Sequence, residues 1–470
     1  MGLLFGGPAT AISAEANAAP GKGMVIKMEK NEMPSSWTDY IKLMNQEIIP
    51  ALGCTEPVAV ALAAAKAAEA LGCAREEIAE MEILVSRNIL KNAMSVIIPG
   101  TTLYGLEYAA ALGFAAGDPG KDLEVLTGLC DKDIALAQRW VNGHKVKVSL
   151  AENDETIYID ALAKKGGACG RAVIQGKHNH FLLVERDGET LLQNRKLDEE
   201  KGEEIDFSAM SLRDIFDFAS GADIKTLEFI EKTNLLNYAI SQEGLKNDYG
   251  LMIGKGMQAR QKKGLVGKDL QNLAIMQTTA AIDARMAGCS MPVMSNSGSG
   301  NQGITATVPV CVVAAETGAS EEQKIRALTL SHMTAIYIKH HLDRLSALCG
   351  AMVAASGVSC AVVYLLGGGY GAVEKAITNM IANITGIICD GAKADCALKV
   401  YASLQAAFEA AYLALDGVCA AGIEGIVTGD VEQTIDNLGT LTMEGMKITD
   451  KVILDIMLSK TSGDGVGDGR

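Results

Sequence analysis

Met81-Glu82-Ile83-Leu84-Val85-Ser86 is where this chain changes character, and the fold is read outward from it. The run predicts a strand. Upstream, the spacing of apolar residues predicts two helices, 37–52 and 57–71. Downstream, 145–150, 156–162, 170–176 and 181–185 read as short strands, parted by turn residues such as Glu152-Asn153-Asp154 and Asp187-Gly188. That region ends near the charged run 196–204. From about 208 the pattern is helical, at 224–243, 269–287, 321–348, 372–385 and 394–415. The expectation is an α+β protein: a mostly α-helical domain with a smaller α+β domain, containing an antiparallel sheet, inserted into it. The boundaries expected are a flexible tail over 1–35, the first helices of the helical domain over 36–80, the inserted domain over 81–205, the helical domain over 206–460, and a second tail over 461–470.

A chain of 470 residues is expected to form two or three domains. Only 4% of it is aromatic and it holds 50 glycines, which suits close helix packing and backbone near a ligand. The net charge of −15, with no arginine-rich run, argues against a nucleic-acid partner. Eleven cysteines and no secretory leader point to a reducing, cytoplasmic setting, where thiols serve metals or catalysis sooner than disulfides. The stretches 286–315 and 345–373 carry no Asp, Glu, Lys or Arg and are long enough to cross a bilayer. Pro292, Pro309 and the polar run Ser295-Asn296-Ser297-Gly298-Ser299-Gly300-Asn301-Gln302 make that costly in lipid, and no basic bias flanks them. They read as buried segments around a polar site, with no membrane partner.

Gly53-Cys54-Thr55-Glu56-Pro57 stands directly ahead of an alanine-rich run. Thr55 reads as a helix N-cap and Pro57 falls in the first turn, where its missing N–H costs nothing. A thiol there faces the positive pole of the helix dipole, which favours the thiolate. Taken alone, Cys54 reads equally as a small core residue. Cys349 is followed by Gly350 at the expected end of a long helix, Cys389 lies in the turn Cys389-Asp390-Gly391-Ala392-Lys393, and Cys396 sits in the first turn of the next helix. Three thiolates at chain breaks can converge and leave a fourth metal position open, as a substrate-binding iron–sulfur cluster needs. By spacing alone they serve as well in the core.

The loop 295–303 lacks Gly-Lys-Ser/Thr and Gly-x-Gly-x-x-Gly, so it is neither a Walker loop nor a dinucleotide fingerprint. Ser297, Ser299, Gly300, Asn301 and Gln302 offer hydroxyl, amide and backbone donors to a carboxylate or phosphate. The same loop is similar to one with which some pyridoxal-phosphate lyases hold an amino-acid carboxylate. In Ser86-Arg87-Asn88-Ile89-Leu90-Lys91-Asn92, the side chains of Asn88, Lys91 and Asn92 share a turn and could present a cation plus amides to a small anion, or form a solvated helix face. His340-His341, beside Asp343 and Arg344, read as surface residues.

Together these motifs resemble the L-cysteine desulfidase family, related to the catalytic alpha domain of iron–sulfur L-serine dehydratases. The resemblance runs from about 35 to 460. It rests on Gly53-Cys54-Thr55-Glu56-Pro57, on Asn88 to Asn92 with Pro99-Gly100-Thr101, on Ser297-Gly298-Ser299-Gly300-Asn301-Gln302-Gly303, on Leu345-Ser346-Ala347-Leu348-Cys349-Gly350, and on Cys389-Asp390-Gly391-Ala392-Lys393 with Cys396. The desulfidase branch is the nearer one, because the Gly-Cys-Thr-Glu-Pro motif is present and the chain ends in Gly469-Arg470 without a cysteine tail.

The resemblance implies a 4Fe–4S cluster held by Cys349, Cys389 and Cys396, with one iron free for substrate, and Cys54 as an active-site thiolate. The activity implied is β-elimination from L-cysteine to sulfide, pyruvate and ammonia, with Cys54 taking the α-proton. Asn88, Lys91, Asn92 and the 297–302 loop would hold the substrate. An iron–sulfur L-serine dehydratase is the rival closest in chemistry. A pyridoxal-phosphate lyase, a non-catalytic iron–sulfur sensor and a transporter are further alternatives. The partner expected is a small amino acid, with homo-oligomer formation left open.

Overall fold

The computed structural model describes residues 34–153, 155–195, 207, 210–342 and 346–461. The tails expected at 1–35 and 461–470 fall almost entirely outside these residues. The charged run and domain boundary near 196–205, and Asp343, Arg344 and Leu345, fall outside them completely.

The chain opens with α1 (Ser35–Glu47), β1 (Pro50–Leu52) and α2 (Thr55–Leu71). The first helix therefore stops five residues before the expected 52. Pro50–Leu52 instead pair antiparallel with β8 (Pro292–Met294), Pro50 opposite Met294 and Leu52 opposite Pro292. Then follow β2 (Glu80–Val85), α3 (Arg87–Ala93), α4 (Leu106–Ala116), α5 (Asp131–Asn142), β3 (Val146–Leu150), β4 (Tyr158–Lys165), β5 (Ala168–Gln175), β6 (Phe181–Arg186) and β7 (Glu189–Gln193). The six strands β2–β7 form one sheet in the order β3-β2-β4-β5-β6-β7. Every neighbouring pair is antiparallel except β2 with β3, which run parallel. The α+β class holds, with a mixed sheet in place of a purely antiparallel one.

The rest is helical: α6 (Leu212–Gly221), α7 (Ile224–Leu227), α8 (Glu231–Lys246), α9 (Ile253–Lys262), α10 (Leu270–Met286), α11 (Gly300–Thr317), α12 (Glu321–His341), α13 (Gly350–Leu365), α14 (Tyr370–Ile384), α15 (Cys396–Leu415), α16 (Val431–Thr440) and α17 (Met446–Thr461), with a π-helical turn, Leu441–Gly445, between the last two. The uncharged stretches become α11 and α13, whose side chains are buried on nearly every side. Among the described residues no helix is long and apolar enough to cross a membrane.

There are two hydrophobic cores. One joins α1 to α6–α16, and the other joins α2 to α3–α5 and the sheet. Thus α1 and α2 part company at Pro50–Gly53, and α2 belongs with the sheet. Its small side chains let neighbours approach closely: a Cβ on Gly113 of α4 would lie 2.7 Å from the Ala61 Cα. The N-terminus of α2 and the β1–β8 ribbon are thereby fixed where the two cores meet.

Candidate active site

The ribbon sets the site. By pairing β1 with β8 it carries Gly53 and Cys54 alongside the 295–303 loop. The Ser295 N–H and hydroxyl both donate to the Ile49 carbonyl (2.8 and 2.7 Å), and the Ser297 N–H donates to the Glu47 carbonyl (3.0 Å). Ser297 itself sits at φ 49°, a left-handed conformation that holds the loop tip in a tight turn.

Cys54, not Thr55, is the N-cap of α2, with φ −81° and ψ 133°. Its thiol is buried and donates to Glu56 Oε2 at 3.0 Å. The Thr55 hydroxyl lies 3.1 Å from the same oxygen and 2.9 Å from the Gly298 carbonyl, and Asn92 Nδ2 donates to Glu56 Oε1 at 3.0 Å. Burial, and after it the Glu56 carboxylate, push the Cys54 thiol well above its ordinary range, while Arg285 pulls the other way. Burial and the adjacent carboxylate thus oppose the thiolate that the helix pole favours. Burial also opposes the charge on Glu56. His178 and the bonds from Cys54 and Thr55 outweigh it and hold that carboxyl below its usual range.

Arg285 and Glu56 are the residues the sequence reading left without a role. Arg285, at the end of α10, is buried; its Nη1 donates to Asn301 Oδ1 at 2.8 Å and its Nη2 to the Gly53 carbonyl. One guanidinium thus ties the Cys54 loop to the 295–303 loop. Its signal was its position, the last charge before the uncharged run 286–315. The loop is held from below by His332, fully buried in α12. Asn296 Nδ2 donates to His332 Nδ1 (3.0 Å), while His332 Nε2 lies 3.0 Å from the Thr307 hydroxyl. Asn296 Oδ1 then accepts from Gln302 Nε2 (2.7 Å) and from the Ser297 hydroxyl (3.0 Å). Ser299 caps α11 by accepting from the Gln302 N–H at 3.3 Å, and Gly300 is that helix's first residue.

On α3, Asn88, Lys91 and Asn92 share one short helix, as expected. The expected free cation is not there: the Lys91 ammonium, 1% exposed, is bonded to Asp450 of α17. With its backbone, α3 touches the cysteine loop. The Ala392 N–H donates to the Asn92 carbonyl at 3.3 Å, and a Cβ on Gly391 would meet the Lys91 carbonyl. On the other side, a Cβ on Gly350 would lie 2.9 Å from Gln302 Oε1.

Cys349 begins α13 instead of ending a helix: it is that helix's N-cap, at φ −71° and ψ 130°. The segments around Cys349 and Cys389 pair across Leu348 and Ile388, with the Cys349 N–H bonded to the Ile387 carbonyl (2.9 Å) and the Cys389 N–H to that of Ala347 (2.6 Å). Cys396 is the first residue of α15. Burial and then its two neighbouring thiols push Cys349 up to about 12; burial foremost pushes Cys396 up to about 11. The three thiols are close enough to feel one another's charge. Among the described residues, no three His, Cys, Asp or Glu side chains are gathered tightly enough for a single metal ion.

The quoted motifs therefore meet in one ring: Cys54 to Glu56 to Asn92, Asn92 to the 389–396 loop, Cys349-Gly350 to Gln302, and the 295–303 loop through Arg285 back to Gly53. Along it, Asn88 Oδ1, Asn92 Oδ1, Gln302 Oε1 and Arg285 Nε are buried without a hydrogen-bond partner. Residues 187–455 match the profile of the serine dehydratase alpha chain. The chain belongs to the serine dehydratase alpha chain family. A UPF0597 protein of Oleidesulfovibrio alaskensis is 45% identical over 424 residues, covering 90% of this chain and 98% of the relative. One from Actinobacillus pleuropneumoniae is 44% identical over 420 residues, 89% of this chain and 96% of its own. A third, from Bacteroides fragilis, is 45% identical over 423 residues, 89% and 97% of the two chains. Three of the motifs in the ring, the 295–303 loop, Cys349-Gly350 and the 389–396 loop, fall within the matched residues, as does Arg285.

Proposed function

We propose that this chain is a lyase that removes the β-substituent from a small L-α-amino acid, with L-cysteine as substrate and sulfide, pyruvate and ammonia as products. One observation carries the reading: motifs hundreds of residues apart close into a ring whose buried amide oxygens and guanidinium N–H have no partner among the described residues. Buried polar groups are normally satisfied, so such a set is what a small polar ligand would complete.

Cys349, Cys389 and Cys396 would hold a 4Fe–4S cluster: the first two lie on segments paired across Leu348 and Ile388, the third opens α15 after the same loop, and three thiols are the donor set such a cluster takes. When bound, such a cluster supplies an open iron that acts as a Lewis acid on the β-substituent. The protein's own residues do the rest. Cys54 takes the α-proton. Ser297, Ser299, Gly300, Asn301 and Gln302, with Asn88 and Asn92, hold the amino acid so that its Cα–H bond faces the sulfur. Lys91 can reach a substrate carboxylate only by giving up Asp450. Elimination leaves aminoacrylate, which water converts to pyruvate and ammonia.

The test is to purify the protein without oxygen, measure iron and acid-labile sulfide, and follow sulfide and pyruvate release from L-cysteine. Pyruvate from L-serine at a higher kcat/KM than from L-cysteine would move the assignment to serine dehydratase, the reading that the family match itself favours. A keto acid formed from neither amino acid would leave a non-catalytic iron–sulfur protein.

A further inference from the structure

The Cys54 thiol does not stand alone. It donates to Glu56 Oε2 at 3.0 Å, and that carboxylate is held in place by the Thr55 hydroxyl and Asn92 Nδ2 at 3.1 and 3.0 Å, all in the protein interior. A buried carboxylate costs several kcal/mol in desolvation unless something answers it. Here the answer comes partly from the other core: His178, in the turn between β5 and β6, lowers the Glu56 pKa by its charge. His178 lines a cavity of about 450 Å³ together with Lys121 and Lys177 of the sheet domain and Ser295 and Gly298 of the substrate loop. The charged groups acting on the pair are thus Arg285 from α10 and His178 from that turn. Lys91 of α3 is taken by Asp450.

We propose that Cys54 and Glu56 form one acid–base unit, in which the thiol passes its proton to Glu56 as it takes the substrate's α-proton. The inference rests on the elimination reading above. In bonds, S–H breaks and O–H forms on Glu56; Cα–H then breaks and S–H forms again on Cys54. The pair holds one extra proton until product leaves, when Glu56 loses it to water. Glu56 acts through Cys54 and is a positioning residue. Between turnovers, Glu56 keeps the sulfur protonated and so protects it from oxidants and electrophiles, which attack thiolates.

The test compares two rates that a merely structural role would not drive in opposite directions. One is alkylation of Cys54 by iodoacetamide at neutral pH, read by peptide mass spectrometry. The other is exchange of the L-cysteine α-proton with solvent deuterium by the anaerobically purified enzyme. Glu56→Gln removes a like charge beside the thiol, so alkylation should rise by about tenfold or more. Exchange should fall by about 10²-fold, the scale of a lost acid–base partner. Glu56→Asp should restore part of the exchange. Glu56→Asp, which keeps the charge beside the thiol, carries the test should Glu56→Gln not fold: its alkylation should stay near the wild-type rate. Wild-type rates of both processes in Glu56→Gln would overturn the unit. The two readings fail separately. An enzyme that exchanges no α-proton refutes elimination, and the alkylation rates still decide the pair. Exchange that depends on Cys54 but ignores Glu56 refutes the pair alone.

Discussion

The ammonium of Lys91, 1% exposed, is bonded to the carboxylate of Asp450, 359 residues further along the chain. This one pair ties the C-terminal helix α17 to α3 at the edge of the site. It also borders a cavity of about 560 Å³ lined by Asn88, Ser346, Met443 and Asp450 among others. A buried charge that loses its partner is strongly destabilising, whereas removal of both partners is much less so. Asp450→Asn should therefore lower stability by roughly 2–4 kcal/mol, on the scale of a broken buried pair. The double variant Lys91→Met with Asp450→Asn should recover much of that loss. Urea denaturation of wild type, Lys91→Met, Asp450→Asn and the double variant gives the coupling, and strictly additive losses would show that the pair does not hold α17.

Protein purified without oxygen is expected to contain iron and acid-labile sulfide, and Cys349→Ala, Cys389→Ala and Cys396→Ala should each sharply reduce both. Cys289→Ser is the control, a buried cysteine that plays no part in the ring. Full iron and sulfide in all three alanine variants would dismiss the ligand set. An equal loss in Cys289→Ser would show that another set of thiols is used.

The α+β class and most sheet strands were legible because turn residues separate short runs of strand formers, as at Asp187-Gly188. Helices α11 and α13 were not, since they are buried all round and carry no amphipathic period. Cys349-Gly350 was misread because a glycine after a helical pattern resembles a C-terminal stop, yet Gly350 begins α13. Nor could Pro50–Leu52 be read as a strand, since its partner lies some 240 positions downstream at Pro292–Met294. The same distance hid the site's polar frame. Local sequence shows that Cys54, Glu56 and Asn92 have suitable chemistry. Only tertiary pairing shows that they touch, that Arg285 joins two loops, and that the nearby lysine is already occupied.

Cys54→Ser should separate binding from chemistry. A hydroxyl gives up its own proton far less readily than a thiol and so is seldom free to take the α-proton; turnover should fall by about 10²-fold or more. Iron content should not change, because Cys54 lies outside the proposed ligand set. Near-normal turnover would return Cys54 to a packing role, and loss of iron would make it a ligand.

His332 gives the fold a pH dependence whose sign follows from its bonds. Asn296 Nδ2 donates to His332 Nδ1, so that nitrogen must accept, and Nε2 carries the proton toward the Thr307 hydroxyl. A second proton on the ring would face the Asn296 amide hydrogens. Burial pushes the His332 pKa down to about 3 from an ordinary value of 6.5. The folded state therefore refuses a proton that the unfolded chain accepts. The stability His332 contributes is complete above the unfolded pKa, falls as pH drops below about 6.5, and is fully lost near 3. A gap of roughly 3.5 pH units, at about 1.4 kcal/mol per unit, amounts to roughly 5 kcal/mol. Asp283 works in the opposite direction: burial raises it to about 6, so its share of stability grows as pH falls from there toward the ordinary 3.8. Wild-type curves mix the two, and the difference between wild type and His332→Gln isolates the histidine. Wild type should lose stability faster than His332→Gln between pH 6.5 and 5, by up to about 1.4 kcal/mol per pH unit in urea titrations. Parallel curves for the two proteins would mean that His332 is protonated inside the fold and that the Asn296 network is wired differently.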